Sequence, residues 1–460
     1  MSKNTQSSLV DGYDAKHEMM TSAPVGRLVC KLAVPTIIIM MVSAMYNMVD
    51  TYFVSSLGTS ATAAVGVSFS LMNIIQAVGF FFGHGTGNFI SRALGAKKTD
   101  EAEKMAATGC ISAFLLGVTI AVFGTIFLTP LAKLLGSTDT ILPFAKDYLR
   151  YIIIAAPFMI TSFMLNNLLR YQGSAMFSMI GMVTGAILNL VLDPLFIFVF
   201  QMGTAGAAIA TAISQTVSCV LLFTVSCRSG GNLRIHLSKF SPSIAVYKEM
   251  MRGGSPSLLR QVVMSISTVV LNQAAGGFSD AVIAAITIVN RVFLLVGAAI
   301  IGFGQSFQPI CGFNYGAKRY DRVKQAFKFC LYLSTTILLV AAIVCFIFAP
   351  NIVAIFRADD PEVLRVGAFA LRAQCFSFPL LGWILLVSFL LQTIGKAIPA
   401  SILAFARQGL FLIPLLLIIV PMFGILGIQL STPIADAFTF VLSLPFAIKV
   451  FRKDLAEIQE

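Results

Sequence analysis

Apolar residues gather along this chain into long runs, each closed by a short polar stretch. Twelve runs can be drawn, over residues 28–56, 62–90, 105–130, 143–169, 177–200, 207–227, 255–277, 281–310, 329–349, 366–392, 400–421 and 427–448. A helix needs ~20 apolar residues to cross the hydrocarbon core, so each run is long enough, and the longer ones imply tilt or extension beyond the lipid. Backbone groups inside lipid must satisfy one another, which leaves helices or closed barrels. A barrel would need short segments of alternating polarity, and none occur. The expected fold class is an all-α polytopic membrane protein with twelve transmembrane helices.

The runs also repeat. A shift of 221 residues lays Gly95-Ala96-Lys97-Lys98 on Gly316-Ala317-Lys318-Arg319 and Asp100 on Asp321. The same shift lays Pro35 on Pro256, Gly203 and Gly206 on Gly424 and Gly427, and Thr211 on Thr432. Each half holds six runs, an even number, so both halves enter the membrane from the same side. This parallel repeat predicts two pseudo-symmetric six-helix bundles about an axis along the membrane normal, a plan suited to rocking around a central cavity. The expected divisions are a cytoplasmic N-terminal segment (1–27), a first bundle (28–227), a linker (228–254), a second bundle (255–448) and a cytoplasmic tail (449–460). The linker carries glycine, proline and five basic residues.

Composition agrees. With 57% hydrophobic and 11% charged residues, and a mean hydropathy of +0.89, a soluble globular chain is excluded. The net charge of +12 does not indicate nucleic acid, because the basic residues lie between the apolar runs. With the N-terminus inside, twenty-three Lys and Arg fall on inside segments (Lys31 at the rim of the first span included) and five outside. That asymmetry predicts both termini on the cytoplasmic side of the cell membrane. The eight cysteines form no CxxC pair and read as buried free thiols. The polar start of the chain has no short apolar core or cleavage site, so no signal peptide is expected.

Against this background a few polar residues stand out. Asn189-Leu190-Val191-Leu192-Asp193-Pro194 lies inside the apolar run from Phe177 to Phe200. An aspartate there costs about 2.5–3.5 kcal/mol on insertion scales, so it needs a reason. Asn189 is one turn earlier on the same face, and Pro194 removes a backbone donor. The first span offers Tyr46, Asn47, Asp50 and Thr51. Asp50 and Asp193 are the only acids well inside the spans of the first half. Gly83-His84-Gly85-Thr86-Gly87 imitates a phosphate loop but lacks the strand and the Gly-Lys-Ser/Thr that such a loop needs. Close helix packing explains the glycines better. His84 is open to a local hydrogen-bonding role or to proton transfer. The 39 phenylalanines and 19 methionines would suit aromatic cations but decide little alone. No catalytic triad, Cys/His pair or metal-ligand spacing rises above background, so no enzyme is expected.

Twelve spans in two sixes, matched basic loops after the second and eighth spans, a membrane aspartate in the first span and Asn-x-x-x-Asp-Pro in the fifth together resemble the multidrug and toxic compound extrusion (MATE) family of secondary transporters. The similarity runs over about residues 25–450. Within the family it is similar to the bacterial and archaeal branch with its cation site in the N-terminal half. A second branch carries extra acids in the seventh and tenth spans, where this chain has Arg260, Arg372 and Gln374 instead.

The resemblance implies that Asp50, Asn189, Asp193 and Thr211 surround one cation-coupling pocket. Two carboxylates close together in a low dielectric demand a proton or a cation between them. Asn189 and Thr211 add neutral oxygens, which suit Na⁺ as well as a proton relay; the alternative is a structural hydrogen-bonded cluster. The expected function is multidrug efflux, exchanging amphipathic organic cations for H⁺ or Na⁺ by alternating access, by a monomer among membrane lipids with no cofactor beyond the coupling ion. Tyr46, Asn47, Arg260 and Asp436 are candidates for the substrate cavity. Asp436, the one acid in the spans of the second half, is expected to neutralise Arg260 or Arg407. The competing reading is a flippase for a lipid-linked saccharide, which Arg260, Arg291, Arg372 and Arg407 would serve by binding a pyrophosphate.

Overall fold

The computed structural model describes residues 3–228, 233–357 and 360–456, apart from the side chains of residues 3–12, 47, 48, 51, 59, 228 and 280. Every regular element among them is helical. Helix α1 (Lys3–Ser22) precedes α2 (Val25–Ser55), α3 (Thr59–Gly95) and α4 (Thr99–Ile126). The short α5 (Leu128–Leu134) leads into α6 (Leu142–Tyr171), α7 (Ala175–Pro194) and α8 (Gly203–Arg228). The second half runs through α9 (Ile244–Gly276), α10 (Asp280–Gly316), α11 (Tyr320–Ile347), the short α12 (Ala349–Phe356), α13 (Pro361–Cys375) and α14 (Phe378–Thr393). It ends with α15 (Ala397–Phe405), α16 (Ile413–Phe423) and α17 (Ile425–Lys449).

Ten spans among the described residues are long and apolar enough to cross a membrane, with α15 and α16 joined into one by the π-turn Ala406–Leu412. Helices α13 and α14 make an eleventh, bent by 51° where the sequence predicts one continuous run. Pro379 explains the break: it lies in the first turn of α14, where its missing N–H costs nothing. The twelfth is α9, which carries Arg260, Gln261 and Gln273 and so fails on apolarity alone. It starts at Ile244, within the stretch expected as linker. Six of the eight cysteines are buried, while Cys227 is half-buried and Cys30 is exposed.

The repeat reaches into the backbone. Lys97 and Lys318, which correspond under the shift, both adopt φ of 59° in the turns after α3 and α10. Gly203 and Gly424, also a matched pair, sit at φ of 58° and 59°. The halves meet along small residues. A Cβ on Gly95 would strike the Phe313 carbonyl, and one on Gly316 would strike the Arg92 carbonyl, so the two clashes are images of one another. Gly312 packs against Ser91, its own partner under the shift, which places the pseudo-twofold axis between α3 and α10. Bulk at these glycines would force the bundles apart at this end. One apolar core fills the first half and crosses the seam to Phe307 and Val387; a separate core, from Leu271 to Ala435, lies within the second half.

Helix α1 lies across this closed end and holds both halves. The Tyr13 hydroxyl donates to the Leu94 carbonyl (2.7 Å) and His17 Nε2 meets the Gly95 carbonyl (3.0 Å) on the first half. On the second, Asn314 Nδ2 donates to the Met20 carbonyl (3.1 Å) and Arg319 Nη1 to the Thr21 carbonyl (2.9 Å). Lys16 bonds Ser174, and burial, then the charge of Lys31, pushes its pKa down to about 8.

Candidate ion site in the first bundle

Three helices supply the polar cluster. Helix α7 ends at Pro194, and the chain widens at once into the π-turn Leu195–Val199, a distortion that proline and π-turns commonly introduce together. Just before that turn Asn189 Nδ2 donates to Asp193 Oδ1 (3.1 Å) and to Thr211 Oγ1 of α8 (3.3 Å). The Tyr46 hydroxyl of α2 lies 3.2 Å from the same threonine oxygen. Asp50 lies one turn beyond Tyr46 with Tyr148 of α6 as a close electrostatic neighbour, while the Tyr148 hydroxyl itself donates to Met72 Sδ (3.6 Å). Asp50 is 3% exposed and Asp193 fully buried. The structure thus gathers Asp50, Asn189, Asp193 and Thr211 into one cluster, with Tyr46 beside them.

The donor set is incomplete within the protein. Asp50 Oδ1, Asn189 Oδ1 and Asp193 Oδ2 are buried oxygens with no hydrogen-bond partner. Leaving such atoms unpaired costs about 1–3 kcal/mol each, more for charged groups. Three hard oxygens and a hydroxyl fit a small hard cation, and the carboxylates fit a proton equally well. Beside the cluster lies a cavity of about 60 Å³, lined by Tyr46, Met72, Gln76, Met182, Ala186 and Gln215 among others. It has room for a few waters, whereas drug-sized ligands occupy about 300–1,000 Å³. Its walls combine thioether, aromatic and amide groups.

The other candidate residues lie elsewhere. The side chain of Asn47 lies outside the described residues. Arg260 of α9 donates to Ser388 Oγ (3.1 Å) and stands 5.0 Å over the Phe389 ring. Asp436 of α17 is fully buried and takes Arg407 Nε at 2.6 Å, so of its two candidate partners it neutralises Arg407. Arg291 and Arg372 are exposed. His84 Nδ1 lies 2.9 Å from the Tyr171 hydroxyl, remote in sequence from the acid cluster.

Two features escaped the sequence reading. Tyr148 belongs with the acids; a single phenol in an apolar span must find a partner, and that was the available signal. Arg170, expected in an inside loop, is 1% exposed at the seam, where it bonds Asn167 and, across the halves, Gln305.

The comparisons with known proteins agree with this architecture. The MatE family profile matches residues 35–195 and 256–418, one match in each half. The multidrug export protein MepA of Staphylococcus saprophyticus is 30% identical over 406 residues, covering 88% of this chain and 89% of that protein. MepA of Staphylococcus aureus (strain MSSA476) is 27% identical over 416 residues, covering 90% and 92%. Among solved structures, MATE in complex with MaL6 superposes with a TM-score of 0.90 at 26% identity, covering 96% of this chain and 99% of that one. An outward-facing multidrug resistance MATE transporter gives 0.89, also at 26% identity, with 95% and 98% covered. A profile that finds both halves of the repeat, and relatives that span nearly the whole chain, place this protein in the MatE family of multi-pass membrane transporters.

Proposed function

We propose that this transporter is a secondary active multidrug exporter that exchanges amphipathic organic cations for H⁺ or Na⁺. The observation that carries the reading is the pair of buried acids, Asp50 and Asp193, each with an unpartnered oxygen, in a cluster joined through Tyr46 to a cavity of mixed aromatic and polar character. Asp50, Asn189, Asp193 and Thr211 hold the coupling ion. A proton or Na⁺ entering there neutralises the carboxylates, which then attract a cationic ligand less. Ion and cargo must favour different states of the two-bundle equilibrium, since a ligand shifts only what it binds differentially. The multidrug export named for the MepA relatives supports the direction and the choice of drugs as cargo.

The protein sits in the cytoplasmic membrane with both termini inside, so the end strapped by α1 is the cytoplasmic gate. Under this orientation a cysteine placed at Lys318 is labelled only from inside and one at Met202 only from outside. Transport of a cationic dye in proteoliposomes, with proton and sodium gradients imposed separately, tests the coupling. Dye movement driven by either gradient is expected; movement under neither sinks the reading.

The flippase alternative draws support from Arg170 and Arg260, two guanidinium groups with no carboxylate partner among the described residues. It loses Arg407, whose charge is taken by Asp436. Gradient-independent movement of a lipid-linked saccharide would favour it.

A further inference from the structure

The shift of 221 residues can be applied to the walls of the first-bundle cavity. Ala186 of α7 and Gln215 of α8 face that cavity, and their counterparts are Arg407 and Asp436, the two halves of the buried ion pair. Met72 lines the cavity, and its counterpart Phe293 presents its ring 5.1 Å beneath the Arg407 guanidinium. Tyr46 lines it too, and its counterpart Ser267 bonds Gln408, the neighbour of Arg407. Four cavity positions of one bundle therefore map onto one arginine of the other and three residues around it.

The pairing is also incomplete. Asp436 Oδ2 and Arg407 Nη2 are buried with no hydrogen-bond partner, so the carboxylate has an acceptor oxygen to spare. A carboxylate and an aromatic face around a guanidinium make a cation-binding cup of a kind that also takes free organic cations.

We propose that Arg407 is a tethered cation that occupies the second bundle's counterpart of the first-bundle cavity, and that removing it uncovers a second site, formed by Asp436 and Phe293, for an organic cation of guanidinium size. The arginine fixes which bundle can exchange ligand: the first bundle takes a mobile cation, while the second holds a permanent one. This rests on the proposed function, in which the first bundle takes cationic cargo.

The test is thermal unfolding of Arg407→Ala in detergent, titrated with ethylguanidinium and, as its neutral analogue, ethylurea. Ethylguanidinium is expected to raise the melting temperature of Arg407→Ala saturably, by several degrees, because a ligand that binds only the folded state stabilises it. Ethylurea should not, and neither compound should do so for wild type or for Arg407→Ala/Asp436→Asn. If Arg407→Ala folds poorly, its recovery as monodisperse protein with ethylguanidinium but not with ethylurea is the same result. No saturable stabilisation, no recovery, or equal effects of the two compounds overturns the proposal. Tetraphenylphosphonium binding to wild type, measured alongside, tests the first cavity: its absence removes the reading of cargo there and leaves the guanidinium result to stand or fall by itself.

Discussion

The two bundles share a backbone plan and differ in how they handle buried charge. In the first, Asp50 and Asp193 have tyrosine, asparagine and threonine neighbours but no arginine or lysine among the described residues, and three oxygens are left unpartnered. In the second, the counterparts of Asp50, Asn189 and Asp193 are Leu271, Leu410 and Pro414, and the one buried span acid, Asp436, has its charge balanced by Arg407 through one of its two oxygens. A carboxylate whose counter-charge must come from solution can exchange it. One whose counter-charge is covalently part of the chain cannot. The repeat thus gives two matched frames: in one the buried acids have no basic partner among the described residues, and in the other Asp436 has Arg407.

The sharpest way to break this comparison is to neutralise the exchangeable acids. Asp50→Asn and Asp193→Asn should each abolish gradient-driven efflux while folded protein remains in the membrane, measured as dye export from reconstituted vesicles. Wild-type pumping by either variant would remove the site from the first bundle.

Neutralising the fixed acid should act on stability instead. Asp436→Asn leaves Arg407 buried without a counter-charge, and breaking a buried pair in this way costs about 3–5 kcal/mol. A lowered melting temperature with an unchanged ratio of ion to substrate is expected. Loss of coupling with substrate binding retained would move the coupling site to the second bundle.

Trimming the neutral ligands should do less. Asn189→Ala, Thr211→Ala and Tyr148→Phe each remove one uncharged group, worth about 1 kcal/mol, so ion affinity should weaken several-fold with coupling retained. Stronger loss in any of these than in the aspartate variants would mean that the acids are not the centre of the site.

The effect furthest from the acid cluster concerns the strap. Burial of Lys16 lowers its pKa to about 8 from an ordinary 10.5, so between these values undocked α1 holds more protons than docked α1. Docking therefore strengthens as pH rises from about 8 to 10.5, and the cost of burying the charge is felt in full below that window. The protection factors of α1 amides, exchange relative to the intrinsic rate at each pH, should rise across this range, and the rise should vanish in Lys16→Met.

Much of this was legible in the chain. Long apolar runs determine helices because lipid offers the backbone no other partner, and the 221-residue shift determines two frames of one plan. The matched backbone at Lys97 and Lys318 follows from that repeat. The individual acids were legible as well, since a carboxylate in an apolar run is expensive enough to be noticed, whereas their meeting in one cluster was implied only by the family resemblance. What the sequence left open was lateral: which helix faces which, and therefore which charges meet. Asp436 could have answered Arg260 or Arg407 until packing set Arg407 against it and Arg260 against Ser388 and Phe389. Tyr148, Arg170 and the strap of α1 were likewise settled only by tertiary structure. The physical reason is that apolarity and period act along one helix and are written in consecutive residues. A buried charge is satisfied by neighbours distant in sequence, and only the folded chain brings them within reach.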